Sequence, residues 1–343
     1  MSKKHQPDIK LNEIKLTDGL KIQTIDYGAR LHSIQVPDQN GRYIEVLLNY
    51  QALSDYLSDR FYMGAVIGRF ANRIHQGEFK LNNQTYQLSK NDSGKHNSLH
   101  GGEHGFDQCV WNFSDYDDQR IRYSMLSDDG DQGFPGELSV NAEYEILSKM
   151  RFRTRLSARS KQDTIINLTS HPYFNFNHNK NTKIFNHTLM IHSANVLEVD
   201  DHLIPSGNLS AIDSTGLDFS ESPKLLEEQF KLYKNEFAQP SSFDHCYILD
   251  KDISNANNNL RHAATLMHKE ANLRLDIYTN QSAVQFYSGE YLSGKLDSFT
   301  GCCLEPQNYP DAPNHAHFPS CILRAGDLYE NIIEYEFSYI DLD

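Results

Sequence analysis

No apolar run in the chain approaches the ~18 residues that a membrane-spanning helix requires, so no membrane span is expected. The N-terminal stretch Met1-Ser2-Lys3-Lys4-His5-Gln6-Pro7-Asp8 has basic residues with no apolar segment behind them, which argues against a secretory signal. Cysteine is scarce. The five present (Cys109, Cys246, Cys302, Cys303, Cys321) are scattered and odd in number, and no C-x-x-C occurs. That usage excludes a disulfide framework and fits a reduced, cytoplasmic protein. The adjacent Cys302 and Cys303, in an apolar stretch, read as small packing residues. Positive charge is also short: 32 Lys and Arg face 46 Asp and Glu, for a net charge of -14. Nucleic acids and anionic membranes would need a basic footprint, so neither is an expected partner. A neutral or cationic small ligand suits the charge better.

Several catalytic signatures are missing as well. There is no G-x-x-x-x-G-K-[ST], no G-x-G-x-x-G between a strand and a helix, and no G-x-S-x-G. Nucleotide-dependent chemistry and serine hydrolysis thus lack their usual marks. Helical periodicity is thin too. Residues 223–230 place Pro223 at a helix start with apolar residues at helical spacing, and residues 54–57 suit a short turn.

What the chain has in quantity is strand pattern. Residues 31–36 and 43–48 flank Pro37-Asp38-Gln39-Asn40-Gly41, a hairpin turn by composition. Phe79 and Leu81 alternate with polar residues, Asn82-Asn83 turns the chain, and Tyr86 and Leu88 alternate again. Residues 121–125 and 138–142 bracket a Gly/Pro/Asp loop, residues 152–156 alternate with arginines outward, and residues 332–337 form a last strand. Many short strands with regularly spaced turns predict an all-β fold, a large antiparallel β-sandwich with a few short helices. No linker, charge block or repeat divides the chain, so residues 1–343 are expected to form one domain.

Two segments carry chemistry. In Leu304-Glu305-Pro306-Gln307-Asn308-Tyr309-Pro310-Asp311-Ala312-Pro313-Asn314, a carboxylate follows the apolar run 300–304 and precedes a loop of hydroxyl-binding side chains. Glu305 is expected where a buried strand emerges, the position at which function concentrates. His171-Pro172-Tyr173-Phe174-Asn175 follows the β-branched stretch 164–169 in the same way. One His and one Glu are the minimum for general acid–base catalysis.

Metal-ligand patterns are weaker. His96, His100 and His104 are four apart, but Asn97-Ser98 and Gly101-Gly102 break any helix that would align them. His315-Ala316-His317 lacks the Glu that a cupin-type site would add. No metal and no cofactor is expected. Polar residues suited to sugars remain: Arg69, Asn72 and Arg73 between apolar neighbours, Asp244 beside Phe243, and Gln285 in an alternating strand. An ordinary structural role is the alternative for each, and for Arg69 above all.

Taken together, these segments resemble the aldose 1-epimerases, or galactose mutarotases. The matching stretches are Gly68-Arg69-Phe70-Ala71-Asn72-Arg73-Ile74, Asn97-Ser98-Leu99-His100-Gly101-Gly102, His171-Pro172-Tyr173-Phe174-Asn175, Phe243-Asp244-His245, Val284-Gln285-Phe286-Tyr287 and the loop 305–314, in the family's order across essentially the whole chain. The resemblance implies the mutarotase-like supersandwich, with a sugar in a cleft on one concave face. It implies Glu305 as general base and His171 as general acid, with Asn72, Arg73, His100, Tyr173, Asp244 and Gln285 holding the sugar. Two positions depart from the family pattern: Pro172 stands where Ser is frequent, and Pro306 where Thr is common. The implied activity is cofactor-free interconversion of the α and β anomers of a free aldose such as galactose or glucose, by a monomer or homodimer. The alternatives are a hexose-6-phosphate 1-epimerase of the same fold and a non-catalytic sugar-binding protein.

Overall fold

The computed structural model describes residues 7–92, 94, 96–236, 242–250, 254–255 and 260–340. Its largest element is a ten-stranded sheet. Four strands, Asn112–Asp117, Arg120–Ser127, Leu138–Ser148 and Arg151–Ser160, run as an antiparallel meander on one side. Tyr329–Ser338 then lies between Arg151–Ser160 and Leu273–Thr279. Leu260–His268, Thr188–Ile191 and Lys224–Leu225 continue the sheet, with Ser254–Asn255 paired beside Leu260–His268. A four-stranded N-terminal sheet (Leu11–Lys15, Lys21–Ile25, Arg30–Pro37, Tyr43–Glu45) and a five-stranded sheet pack with it. The five-stranded sheet has the order Pro205–Ala211, Asn195–Val199, Asp244–Ile248, Ala283–Tyr287, Cys303–Gln307.

One cluster of buried side chains joins the three sheets, from Ile22 and Leu31 through Tyr144, Leu156 and Tyr335 to Val284, Phe286 and Leu304. Each such side chain contributes about 1.5–3 kcal/mol by leaving water, so sheets facing one another across it form the expected sandwich. Residues 151–156 behave as their alternation predicts: Phe152, Thr154 and Leu156 are buried, while Arg153 on the other face donates to Glu334.

Three local expectations change. The helix runs Leu226–Glu236, because Lys224–Leu225 first pairs with Thr188–Leu189 as a strand. The run 164–169 is two short strands, Thr164–Ile165 and Thr169–Ser170, interrupted where Asn167 bonds across to Ala71 and Asn308. Glu305 does not emerge from a strand end; it is the middle residue of Cys303–Gln307, which continues through Pro306. A strand at the edge of a sheet tolerates a residue without an N–H, and this strand is at the edge.

Candidate active site

The five-stranded sheet builds the floor by its two-residue period. Val284, Phe286 and Leu304 point into the core, so Gln285, Cys303 and Glu305 point the other way. Register then aligns them: Gln285 lies opposite Glu305 and Cys246, and Tyr287 lies opposite Cys303 and Asp244. Across this face the Gln285 amide donates to Asp244 Oδ1 at 2.6 Å.

The facing wall is the segment after Thr169–Ser170. Its backbone is bonded on both sides. Gly64 N–H donates to His171 O, Leu48 N–H to Tyr173 O, and Phe174 N–H to Cys302 O, all at 2.8–2.9 Å. Pro172 removes no donor that this stitching uses. The Tyr173 hydroxyl donates to Phe61 O at 3.0 Å and anchors the loop above it. Behind both walls, the Asn331 amide donates to Leu168 O at 2.7 Å and Pro306 O at 2.9 Å. Each wall is therefore fixed to the other, close to His171 on one side and Glu305 on the other.

The third corner is formed by Arg73–Ile74 paired with Ser98–Leu99. Asn72 and His100 both have left-handed backbone (φ 67° and 50°), which folds their side chains towards each other. The Asn72 N–H donates to His100 Nδ1 at 3.2 Å, so the proton of this neutral imidazole sits on Nε2. Gly101 follows with φ 90°, and a Cβ there would lie 1.8 Å from Gly68 O. Arg73 donates from Nε to Asp92 at 3.0 Å, and its Nη1 is 3.9 Å from Asp244.

These elements enclose a cleft of about 930 Å³, and all eight expected residues line it: Asn72, Arg73, His100, His171, Tyr173, Asp244, Gln285 and Glu305. His171 Nε2 lies 3.5 Å from Glu305 Oε1, both side chains almost wholly buried. Burial pushes the Glu305 carboxyl well above the usual carboxylate range, and the Asp244 charge adds to it. Burial likewise pushes the His171 imidazole down to about 4. The two shifts share one cause, since burial favours the uncharged form of each group: the protonated carboxyl and the neutral imidazole. His100 is pushed well below its ordinary value by burial, then by His171 and Arg73, and stays neutral.

Cys303 Sγ, 3.4 Å from His171 Nδ1, completes a group of three metal-type ligands within 4.8 Å of one another. The thiol and the carboxylate sit at opposite nitrogens of the ring, however. One imidazole nitrogen can ligate an ion, so this arrangement suits proton relay better than a shared metal.

The aldose 1-epimerase family model matches residues 11–336. The chain is 34% identical over 330 residues to the galactose mutarotase of Bos taurus, covering 94% of this chain and 92% of that one. It is 32% identical over 328 residues to the aldose 1-epimerase of Escherichia coli (strain K12), covering 93% and 92%. The chain belongs to the aldose 1-epimerase family. It is an isomerase with the mutarotase fold. A solved aldose epimerase homologue from C. elegans superposes with a TM-score of 0.88 at 24% identity, over 97% of this chain and 100% of the other. The galactose 1-epimerase of Lactobacillus acidophilus superposes with a TM-score of 0.82 at 25% identity, over 99% and 97%.

Other sequence expectations for this epimerase differ from its structure. The loop 306–314 does not offer its polar side chains to the cleft. Asn308 bonds Pro319 O and Ser320 O, and Asp311 accepts from His75 N–H and from Asn314. Arg69 faces away and donates to the carbonyls of Pro135 and Gly136, a structural role. His315 sits beside Asp311, and His317 bonds Gly207 O. Sequence reasoning missed Tyr62, whose ring lies 4.6 Å from that of His100 and 5.9 Å from that of His171. It also missed Asp92, which anchors Arg73, and the contact of Cys303 with His171. Half-buried loop residues and a small residue in a strand gave no signal of these contacts.

Proposed function

We propose that this epimerase interconverts the anomers of free hexoses such as galactose and glucose, with Glu305 and His171 as the proton-transfer pair. The observation that carries this reading is their 3.5 Å separation on the floor of a sugar-sized cleft. Two oxygens bonded to one carbon are close enough to be served by two such groups at once.

A single proton shared by the pair serves both directions, and the reacting form is the minor one with that proton on His171, since burial favours it on Glu305. With the carboxylate ionised and the imidazole protonated, Glu305 takes the proton of the C1 hydroxyl while His171 Nε2 gives one to the ring oxygen. The C1–O5 bond opens, leaving an aldehyde with Glu305 protonated and His171 neutral. Rotation about C1–C2 presents the other face. Reclosure then returns the proton from Glu305 to the C1 oxygen and takes one back onto His171. Protons and charge balance, and the pair ends as it began.

Around it, His100 offers Nε2–H to a sugar oxygen. Arg73, held by Asp92, offers donors to neighbouring hydroxyls, and Asp244 accepts from hydroxyls through the oxygen that Gln285 leaves free. Asn72 Oδ1 accepts from Arg73 N–H, which leaves its amide as a donor. With its hydroxyl already engaged, Tyr173 contributes its ring. Asp59, Asp92, Asp107, Asp244 and Glu305 outnumber Arg60 and Arg73 along the cleft, which favours a neutral sugar over a 6-phosphate. The names of the relatives, galactose mutarotase and aldose 1-epimerase, support the same choice.

Polarimetry of freshly dissolved α-D-galactose and α-D-glucose tests the reading, with the corresponding 6-phosphates in parallel. Fast mutarotation of the free sugars is expected, and a lowering of turnover by at least ~10²-fold in His171→Asn. Preference for the phosphates, or normal turnover in that variant, would overturn it. A binding protein without catalysis would show neither acceleration nor any effect of that substitution.

A further inference from the structure

His171 has two ring nitrogens, and the proposed mechanism uses one. The other, Nδ1, faces Cys303 Sγ at 3.4 Å. Cys303 is two residues before Glu305 on the same strand, so both side chains leave the same face. The imidazole lies between them, with thiol at Nδ1 and carboxylate at Nε2. A single strand thus addresses both nitrogens of the acid. We propose that Cys303 is a positioning residue for His171: its sulfur accepts the Nδ1 proton and so commits Nε2 to the sugar. This rests on the reading of His171 as the acid.

The requirement follows from the proton cycle. In both states of the pair Nε2 exchanges the proton, so Nδ1 must keep its own throughout. An imidazole without a partner at Nδ1 can place its single proton on either nitrogen, and the wrong tautomer offers the sugar no base for the return step. The other acceptor near the ring is the residue's own carbonyl oxygen, which already accepts from Gly64 N–H. Burial, reinforced by the Glu305 charge, holds the Cys303 thiol well above its ordinary value, so the sulfur remains an uncharged acceptor.

The choice of sulfur has a further effect. A carboxylate at Nδ1 would hold the imidazolium and make it a weaker acid. The ring oxygen of a sugar is a poor base and calls for a strong acid. A neutral, weakly accepting thiol orients the ring and leaves that acidity intact. The remaining groups around the imidazole are His100, Tyr62 and Tyr173 at its faces and edges, with Asp59 and Arg30 acting from behind. Among these, Cys303 is the side chain with a bond to Nδ1.

The test compares Cys303→Ala, Cys303→Ser and Cys303→Asp by polarimetric pH profiles and by ¹⁵N chemical shifts of His171. The Ala variant is expected to lose about 10–100-fold in kcat with KM within about twofold, and to show mixed imidazole tautomers. Ser keeps an acceptor and should restore most of kcat and a single Nδ1–H tautomer. Asp should move the acidic limb of kcat to higher pH. An Ala variant with wild-type kcat and a single tautomer would overturn the proposal. Should Ala not fold, an unshifted acidic limb in the Asp variant does the same. Normal turnover in His171→Asn would instead remove the underlying reading, whatever Cys303 does.

Discussion

Replacing Glu305 by Gln removes the proposed base and also a charge that its surroundings resist. The carboxyl is buried and its ionised form disfavoured, so an amide of the same shape relieves a desolvation penalty. We expect turnover to fall by at least ~10²-fold while the melting temperature rises, measured by polarimetry and calorimetry on one preparation. A variant both slower and less stable would mean that the carboxylate is well satisfied in the fold. Asp92→Asn, by contrast, loosens Arg73 without touching the proton pair. Its KM should rise about tenfold with kcat nearly unchanged, and a fall in kcat alone would show that Arg73 acts on the reacting atoms. The roles of Glu305, His171 and Asp244 could be read as candidates because such side chains are conspicuous beside strands. Asp92 and Cys303 could not, since their importance comes from which atom each faces.

At the level of the element, strand pattern was legible and strand ends were not. The hairpins at 30–45 and 78–87 follow from alternation and turn residues. The continuation of Cys303–Gln307 through Pro306 does not, because a proline within a strand reads as its end until the neighbour is known. The joints at Pro306 use its carbonyl, which accepts from Thr169 and Asn331, and not its ring. Pro306→Thr should therefore change stability by no more than about 1 kcal/mol in urea unfolding and keep turnover within a few-fold. A large loss would assign the ring a part of its own. Gly101→Ala is the opposite case, with a strained backbone and a Cβ driven onto Gly68 O. It should cost at least about 2 kcal/mol and take His100 out of place, seen as a raised KM.

Across the whole molecule, the opposite shifts of the buried pair link stability to pH. The raised Glu305 carboxyl favours the native state below the ordinary carboxyl value of 4.5, and that contribution is lost as pH rises above it. The lowered His171 imidazole works the other way: its contribution is full above the ordinary imidazole value of 6.5 and is lost as pH falls towards about 4. In denaturant titrations the wild type should lose stability relative to Glu305→Gln as pH rises above 4.5, and relative to His171→Asn as pH falls from 6.5 towards about 4, by up to about 1.4 kcal/mol per pH unit. Parallel curves would mean that the two groups are solvated. The sandwich itself was expected from its many short strands; which strands become neighbours was not, because pairing between residues about 180 positions apart leaves no local trace. Asn331 shows what such distance entails. Until the ribosome has made residue 331 and that strand has inserted, a nascent chain owns both proposed proton-transfer groups and part of the bonding between their segments, but lacks the amide that ties Leu168 to Pro306. Enzyme activity should thus appear late and all at once during synthesis, and messages truncated shortly before that codon should yield inert protein.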